Sequence, residues 1–132
     1  AIAVAQKWAD SDPRRAAEWV ESFSGDIQAK AVNQVVQRWA LSEPAVAGEW
    51  VSGLLDTTVR DSALQTYAKS AANLYPAYAG AYAMSISDPV RRVSAITSVA
   101  KSWLKSNREA AANWILSTDL TDTQKAKLLA SK

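Results

Sequence analysis

The chain has 132 residues, of which 15 are Lys or Arg and 13 are Asp or Glu, so its formal charge is only +2. This length suits one domain with one continuous core, and the balanced charges argue against the concentrated basic stripe that nucleic-acid binding needs. The chain has no cysteine and no histidine, which excludes disulfides, thiol chemistry, most zinc and haem sites and His-dependent acid–base catalysis.

Tryptophan pairs eleven positions apart recur along the chain and set its expected organisation. They are Trp8 with Trp19, Trp39 with Trp50, and Trp103 with Trp114. The step from position 8 to position 39 is followed by a step from 39 to 103, which is about twice as long. Ala71 and Tyr82 stand where the missing pair is expected. A fixed period of about 31–32 residues indicates stacked copies of one supersecondary unit.

Each copy is predicted to be a hairpin of two helices, A and B. Apolar residues follow the i, i+3, i+4, i+7 spacing of an amphipathic helix, and only short joints separate the segments. Nine helices are predicted, in chain order 1–9, 11–22, 26–40, 43–55, 58–72, 75–86, 89–104, 107–117 and 121–131. The corresponding units of one domain are 1–24, 25–55, 56–86, 87–118 and a partial unit, 119–132.

Three of the predicted B helices begin after a serine that has an acidic or amide residue beside it. The segments are Ser11-Asp12-Pro13, Ser42-Glu43-Pro44 and Ser106-Asn107-Arg108. The serine is expected to cap free N–H groups of the helix, and proline suits the first turn, where its missing N–H costs nothing. Thr121 and Gln124 fit a capping box at the start of the last helix.

A segment of two small residues, one variable residue and an aromatic residue is repeated in every complete B helix. It reads AAEW at 16–19, AGEW at 47–50, AGAY at 79–82 and AANW at 111–114. Small residues let a neighbouring helix approach closely, and the aromatic ring fills the remaining space. The predicted aromatic core is Trp8, Trp19, Trp39, Trp50, Tyr67, Tyr82, Trp103 and Trp114. A row of exposed, sugar-stacking tryptophans is the alternative interpretation.

With this period, the chain resembles the α-solenoid class over its whole length, namely tetratricopeptide-like and HEAT-like arrays of helical hairpins. The repeat is shorter than either of those units, so the resemblance is one of architecture. The WA-x-x-DP-x-x-AA-x-W pattern is also similar to repeats in uncharacterised bacterial proteins, which bring no known activity. The resemblance implies an all-α fold, a right-handed α-solenoid of roughly four repeats with a concave binding surface.

The third unit departs from the pattern of the others. Tyr67 lies one turn before Ala71 and supplies the aromatic volume that is missing there. Tyr75 stands where the other units have an acidic or amide residue, and Tyr78 stands where they have Arg15, Val46 or Ala110. Two off-pattern tyrosines at a helix start predict an adhesive patch for a peptide or glycan. The alternative is that they pack against a neighbouring loop.

The leading functional hypothesis is a non-catalytic scaffold that binds a protein or peptide. A structural spacer that positions another domain and a glycan- or peptidoglycan-binding module are the alternatives. The chain has no Gly-rich phosphate loop, nucleophile elbow or cluster of metal ligands, so no enzyme, cofactor or metal site is predicted. It has no continuous apolar run of the length that a membrane-spanning helix needs, so no membrane partner is predicted.

Both ends of the chain fall inside a repeat. This predicts a fragment of a longer array, because natural solenoids normally end in capping repeats with a polar outer face. The terminal helices would then lack the neighbour that their apolar stripe requires. We therefore expect fraying at the ends, or end-to-end self-association through the cut repeats.

Overall fold

A computed structural model describes residues 12–23 and 25–130, and this part of the chain contains eight helices and no strand. The helices are α1 (Pro13–Val20), α2 (Gly25–Ser42), α3 (Pro44–Ser52), α4 (Thr57–Ala71), α5 (Pro76–Met84), α6 (Pro89–Ser106), α7 (Arg108–Ser117) and α8 (Asp122–Ala130). The all-helical class is confirmed, and the bounds agree closely with eight of the nine predicted helices. The predicted helix over 1–9, with Trp8, lies outside the described residues.

The core lies between the long helices α2, α4 and α6, which face one another through small and branched residues. Val35, Leu64 and Ile96 lie there with almost no exposed surface. Each described helix contacts the next one in sequence, and α2, α4 and α6 also contact one another in order. This packing is consistent with successive hairpins, the second formed by α2–α3, the third by α4–α5 and the fourth by α6–α7. None of the described helices is long and apolar enough to cross a membrane.

The predicted serine caps are wrong where the structure describes them. In α7, Asn107 Oδ1 accepts a hydrogen bond from the backbone N–H of Ala110 at 3.1 Å. Ser106 instead donates its hydroxyl back to the carbonyl of Trp103 at 3.2 Å, and Ser42 makes the equivalent contact in α2. The longer helix continues through the serine, so the following residue takes the N-cap position. The serine of the first segment lies outside the described residues.

The start of α8 forms the capping box that the sequence predicts. The backbone N–H of Thr121 donates to Gln124 Oε1 at 2.9 Å, and the backbone N–H of Gln124 donates to Thr121 Oγ1 at 3.1 Å. This reciprocal pair satisfies two N–H groups that would otherwise have no partner at the helix start.

Two arginines at equivalent positions bind the long helices α4 and α6 to the joints that precede them. Arg60 donates to the carbonyl of Leu54 at 3.0 Å, and Arg92 donates to the carbonyl of Ile86 at 2.9 Å. Arg92 also forms an ion pair with Asp119, with 2.9 Å between Nε and Oδ2. Because backbone carbonyls in a joint have no helical partner, these bonds satisfy them and fix the joints between hairpins. They also engage two of the chain's cations within the fold.

Aromatic rings from the two helices of a hairpin pack against each other. The ring centroids are 5.8 Å apart in the Trp39–Trp50 pair and 5.6 Å apart in the Trp103–Trp114 pair. Trp39 is 1% exposed, whereas Trp50, Trp103, Trp114 and Trp19 are partly buried and pack against the core from its edge. The eleven-residue spacing therefore brings one ring from each helix to the same level of the hairpin.

The third hairpin makes the same contact with a different spacing. Tyr67 is fully buried, and its ring packs edge-on against Tyr82, with centroids 4.9 Å apart. The Tyr67 hydroxyl donates to the carbonyl of Pro44 at 2.6 Å. A tyrosine one turn before Ala71 thus fills the position that lacks a tryptophan, and its hydroxyl also binds the second hairpin.

Two glycines mark where successive short helices approach most closely. A Cβ atom on Gly48 of α3 would lie 2.3 Å from the ring of Tyr82 of α5. A Cβ atom on Gly80 of α5 would lie 2.8 Å from the ring of Trp114 of α7. The small residue of one short helix therefore contacts the aromatic ring of the next short helix. The repeated motif predicted that small residues and aromatic rings would pack together, but it did not predict which helix supplies the ring.

Candidate functional site

All four tyrosines of the chain lie between positions 67 and 82. Tyr75 occupies the N-cap position of α5, and its side chain caps no N–H group there. Its ring is partly buried against the core, and its hydroxyl donates to the carbonyl of Leu41 at 3.4 Å. The structure thus places Tyr75 against the α2–α3 joint of the preceding hairpin, where its ring supports the start of α5.

Tyr78 lies on the outer side of α5 and is 44% exposed. Ala77, Ala81 and Met84 are exposed on the same helix at spacings of three or four positions from one another or from Tyr78, which places them on one side of it. We call these four residues the α5 face. Leu74 is exposed just before α5. The α5 face is therefore an uncharged, largely apolar strip that presents one aromatic ring to solvent.

Most of the equivalent positions of the first short helix, and half of those of the fourth, carry charged or polar groups, whereas Ala110 and Leu116 of the fourth do not. In α1 they include Arg14, Arg15 and Glu18, all exposed. In α7 they include Glu109 and Asn113, also exposed. A solvent-facing helix surface normally carries such residues, so the α5 face departs from the pattern of its own repeat.

Beneath the α5 face, two tyrosine rings pack against each other and against α3. The ring of Tyr82 lies between Gly48 of α3 and the buried ring of Tyr67. Burial raises the pKa of Tyr82, and the nearby charge of Glu49 and the hydroxyl of Tyr78 raise it further. Burial likewise raises the pKa of Tyr67, with smaller contributions from Tyr82 and Tyr78. Burial therefore favours the neutral form of both inner hydroxyls.

A second candidate is an open cavity of about 530 Å³ at the starts of α4 and α6. Its most distinctive residue is Asp61, which is only 4% exposed. Asp61 accepts hydrogen bonds from the backbone N–H and hydroxyl of Ser87, at 3.0 and 2.6 Å, and from the N–H of Asp88 at 3.0 Å. Burial favours a higher pKa for Asp61, but these hydrogen bonds and the charge of Arg60 hold it below the usual value.

The contacts of Asp61 explain its burial without a ligand. Both carboxylate oxygens accept bonds from the joint before α6, so Asp61 holds that joint rather than facing a substrate. The one signal in the sequence is that Asp61 stands where the neighbouring units have the apolar residues Ala29 and Val93. Among the described residues, no group of three or more carboxylate, histidine or cysteine side chains is arranged to hold a metal ion.

A third candidate is a groove of about 420 Å³ between α6 and α8. Lys101 and Lys127 line it together with Val93 and Leu128. Both lysines are exposed, so their ammonium groups are solvated, and the groove offers no buried charge for a specific ligand to satisfy.

Comparisons with known protein families, with curated proteins and with solved structures find no match to this chain. The interpretation of its surface therefore rests on the chemistry of its own residues. Of the two tyrosines predicted to form the site, Tyr78 is the one that faces solvent, and Tyr75 faces the second hairpin.

Proposed function

We propose that this chain is a segment of an α-solenoid scaffold that binds a protein or peptide through the α5 face and performs no catalysis. Three features support the solenoid: the regular recurrence of the tryptophan pairs, the contacts of each long helix with the next, and the ring-to-glycine contacts between short helices. Such arrays present extended surfaces built from equivalent positions of successive repeats.

The exposed ring of Tyr78 within an uncharged strip is the observation that carries the binding function. A tyrosine offers a large, flat contact area with few rotatable bonds, so little conformational entropy is lost when a partner orders it. Met84 adds a second large apolar side chain to the α5 face, and Leu116 is exposed at the equivalent position of α7. Contiguous apolar surface of this kind is typical of interaction sites on soluble domains.

The two alternative functions have less support. A structural spacer needs only a polar outer surface, and the α5 face departs from that pattern without any need of the core. A glycan site requires hydrogen-bonding side chains around the stacking ring, because sugars are rich in hydroxyl groups. Within the α5 face the hydroxyl of Tyr78 is the one hydrogen-bonding side-chain group; the exposed carboxylate of Glu49 lies on the adjoining α3, and the neighbouring hydroxyl of Ser85 already donates to the carbonyl of Tyr82.

The experiment that tests this proposal is selection of a random peptide library on the immobilised chain, followed by binding assays with variants. Selected peptides should lose binding to Tyr78→Ala and keep binding to Leu55→Ala. Leu55 is the matched control because it is 96% exposed and lies in the joint between α3 and α4. If no peptide is enriched, or if enriched peptides bind Tyr78→Ala as well as the unchanged chain, the proposal is wrong.

A further inference from the structure

Carboxylates lie beside the α5 face on the side of α3. Glu49 is exposed and directly follows Gly48, the residue on which the ring of Tyr82 lies. Its charge acts on Tyr82 together with the hydroxyl of Tyr78. Because Gly48 lies against the ring of Tyr82, the neighbouring Glu49 stands on the part of α3 that borders α5.

A second carboxylate is held at the start of α3. Glu43 is exposed, and its Oε1 accepts a hydrogen bond from the indole N–H of Trp39 at 3.3 Å. The hydroxyls of Tyr75 and Tyr67 bind carbonyls on either side of it, those of Leu41 and Pro44. Glu43 thus occupies a joint that three aromatic side chains hold in place.

Of the short helices α3 and α5, α3 carries two acidic groups, α5 carries none, and neither carries a basic group. With their N-cap residues, they contain Glu43 and Glu49 and no Lys or Arg. The flanking arginines belong to the long helices: Arg38 of α2 is half-buried, and Arg60 of α4 donates to the carbonyl of Leu54. The outer surface of these two helices is therefore acidic on the α3 side and aromatic on the α5 side, in a chain whose formal charge is +2.

We infer that the partner segment bound by the α5 face is basic, with a lysine or arginine whose charged group lies between Glu49 and the ring of Tyr78. This inference rests on the proposed function and specifies the partner's chemistry. A cation over an aromatic face is attracted by the ring, and the methylene stem of lysine or arginine covers apolar surface such as Ala81 and Met84. The exposed carboxylate adds an ion pair that salt weakens.

The test uses three labelled peptides of equal length and equal leucine content that carry lysine, glutamine or glutamate at the same positions. Fluorescence anisotropy at low salt should rank the lysine peptide as the tightest binder. Glu49→Gln should weaken its binding about two- to fivefold, the range for an exposed ion pair, and should reduce its salt dependence. Glu18→Gln is the matched control, because Glu18 is exposed at the equivalent position of α1 and changes the net charge equally.

The variants separate this inference from the function on which it rests. If Glu49→Gln binds the lysine peptide unchanged, or if the lysine and glutamine peptides bind equally and both are lost with Tyr78→Ala, only this inference is wrong. If no peptide binds while a chitin oligosaccharide binds and is lost with Tyr78→Ala, both proposals are wrong. Self-association in sedimentation that is lost with Tyr78→Ala would make a second copy the occupant and would likewise overturn the inference.

Discussion

Replacement of Gly48 by alanine tests whether adjacent hairpins are joined by the ring-to-glycine contact. The added Cβ atom would lie 2.3 Å from two ring carbons of Tyr82, whereas ordinary van der Waals contact begins at about 3.4 Å. The ring cannot move freely, because the buried ring of Tyr67 packs against it. Overpacking of this kind costs about 1–3 kcal/mol. The better helix propensity of alanine offsets up to about 1 kcal/mol of this cost. We therefore expect Gly48→Ala to lower the free energy of unfolding by about 1 kcal/mol.

The assay is urea unfolding followed by tryptophan fluorescence and circular dichroism. Gly53→Ala is the matched control, because its Cβ atom would meet only carbonyl oxygens at 3.5 and 3.7 Å and its φ is −84°. That variant should be neutral or more stable by about 0.4–1 kcal/mol. In a Tyr82→Ala background the clash disappears, so Gly48→Ala should become stabilising. A gain in stability from Gly48→Ala alone, similar to that of Gly53→Ala, would refute the contact.

Three further changes address other parts of the structure. Tyr67→Phe removes the hydrogen bond to the Pro44 carbonyl and should lower the free energy of unfolding by about 1 kcal/mol, measured by urea unfolding; an unchanged value would contradict the contact. Asp61→Asn should cost about 1–3 kcal/mol at neutral pH. The pKa of Asp61 is lowered in the folded state. The ionised carboxylate therefore contributes fully to the free energy of unfolding above the ordinary pKa of 3.8, and this contribution is lost as the pH falls below 3.8. Unfolding at neutral and acidic pH should therefore show the variant and the unchanged chain converging in acid, and a constant difference would contradict this. Tyr78→Ala should change stability by less than about 0.5 kcal/mol, and a loss of several kcal/mol would identify Tyr78 as core.

Much of the helical organisation was predictable because it is marked by local chemistry. Proline at the first helical turn, a capping box at Thr121 and small-small-x-aromatic motifs are all short-range signals. The serine caps were predicted wrongly because the end of one helix and the start of the next overlap in a few residues. Ser106 and Asn107 both suit a cap, and only the length of α6 decides between them.

The candidate site was predictable only in part. The uncharged sequence of α5 is evident in the chain, but the opposite directions of Tyr75 and Tyr78 depend on where α3 lies against α5. The role of Asp61 depends on a distant joint at Ser87, and no local pattern links the two. Likewise, the position of Glu49 on the part of α3 that borders Tyr82 follows from the close approach at Gly48, which depends on how the two helices pack and not on a local sequence pattern.

The two ring-to-glycine contacts run in the same direction along the chain, and this makes the two ends of the described helices unequal. At both Gly48 and Gly80 the contacting ring comes from the following hairpin, Tyr82 at Gly48 and Trp114 at Gly80. If the later hairpin opens, the earlier one keeps a short helix with an interior glycine and no ring against it, and such a helix is weak on its own. If the earlier hairpin opens, the later one loses only a cover over its aromatic ring. Melting that starts at the fourth hairpin should therefore spread backwards along the chain more readily than melting that starts at the second spreads forwards.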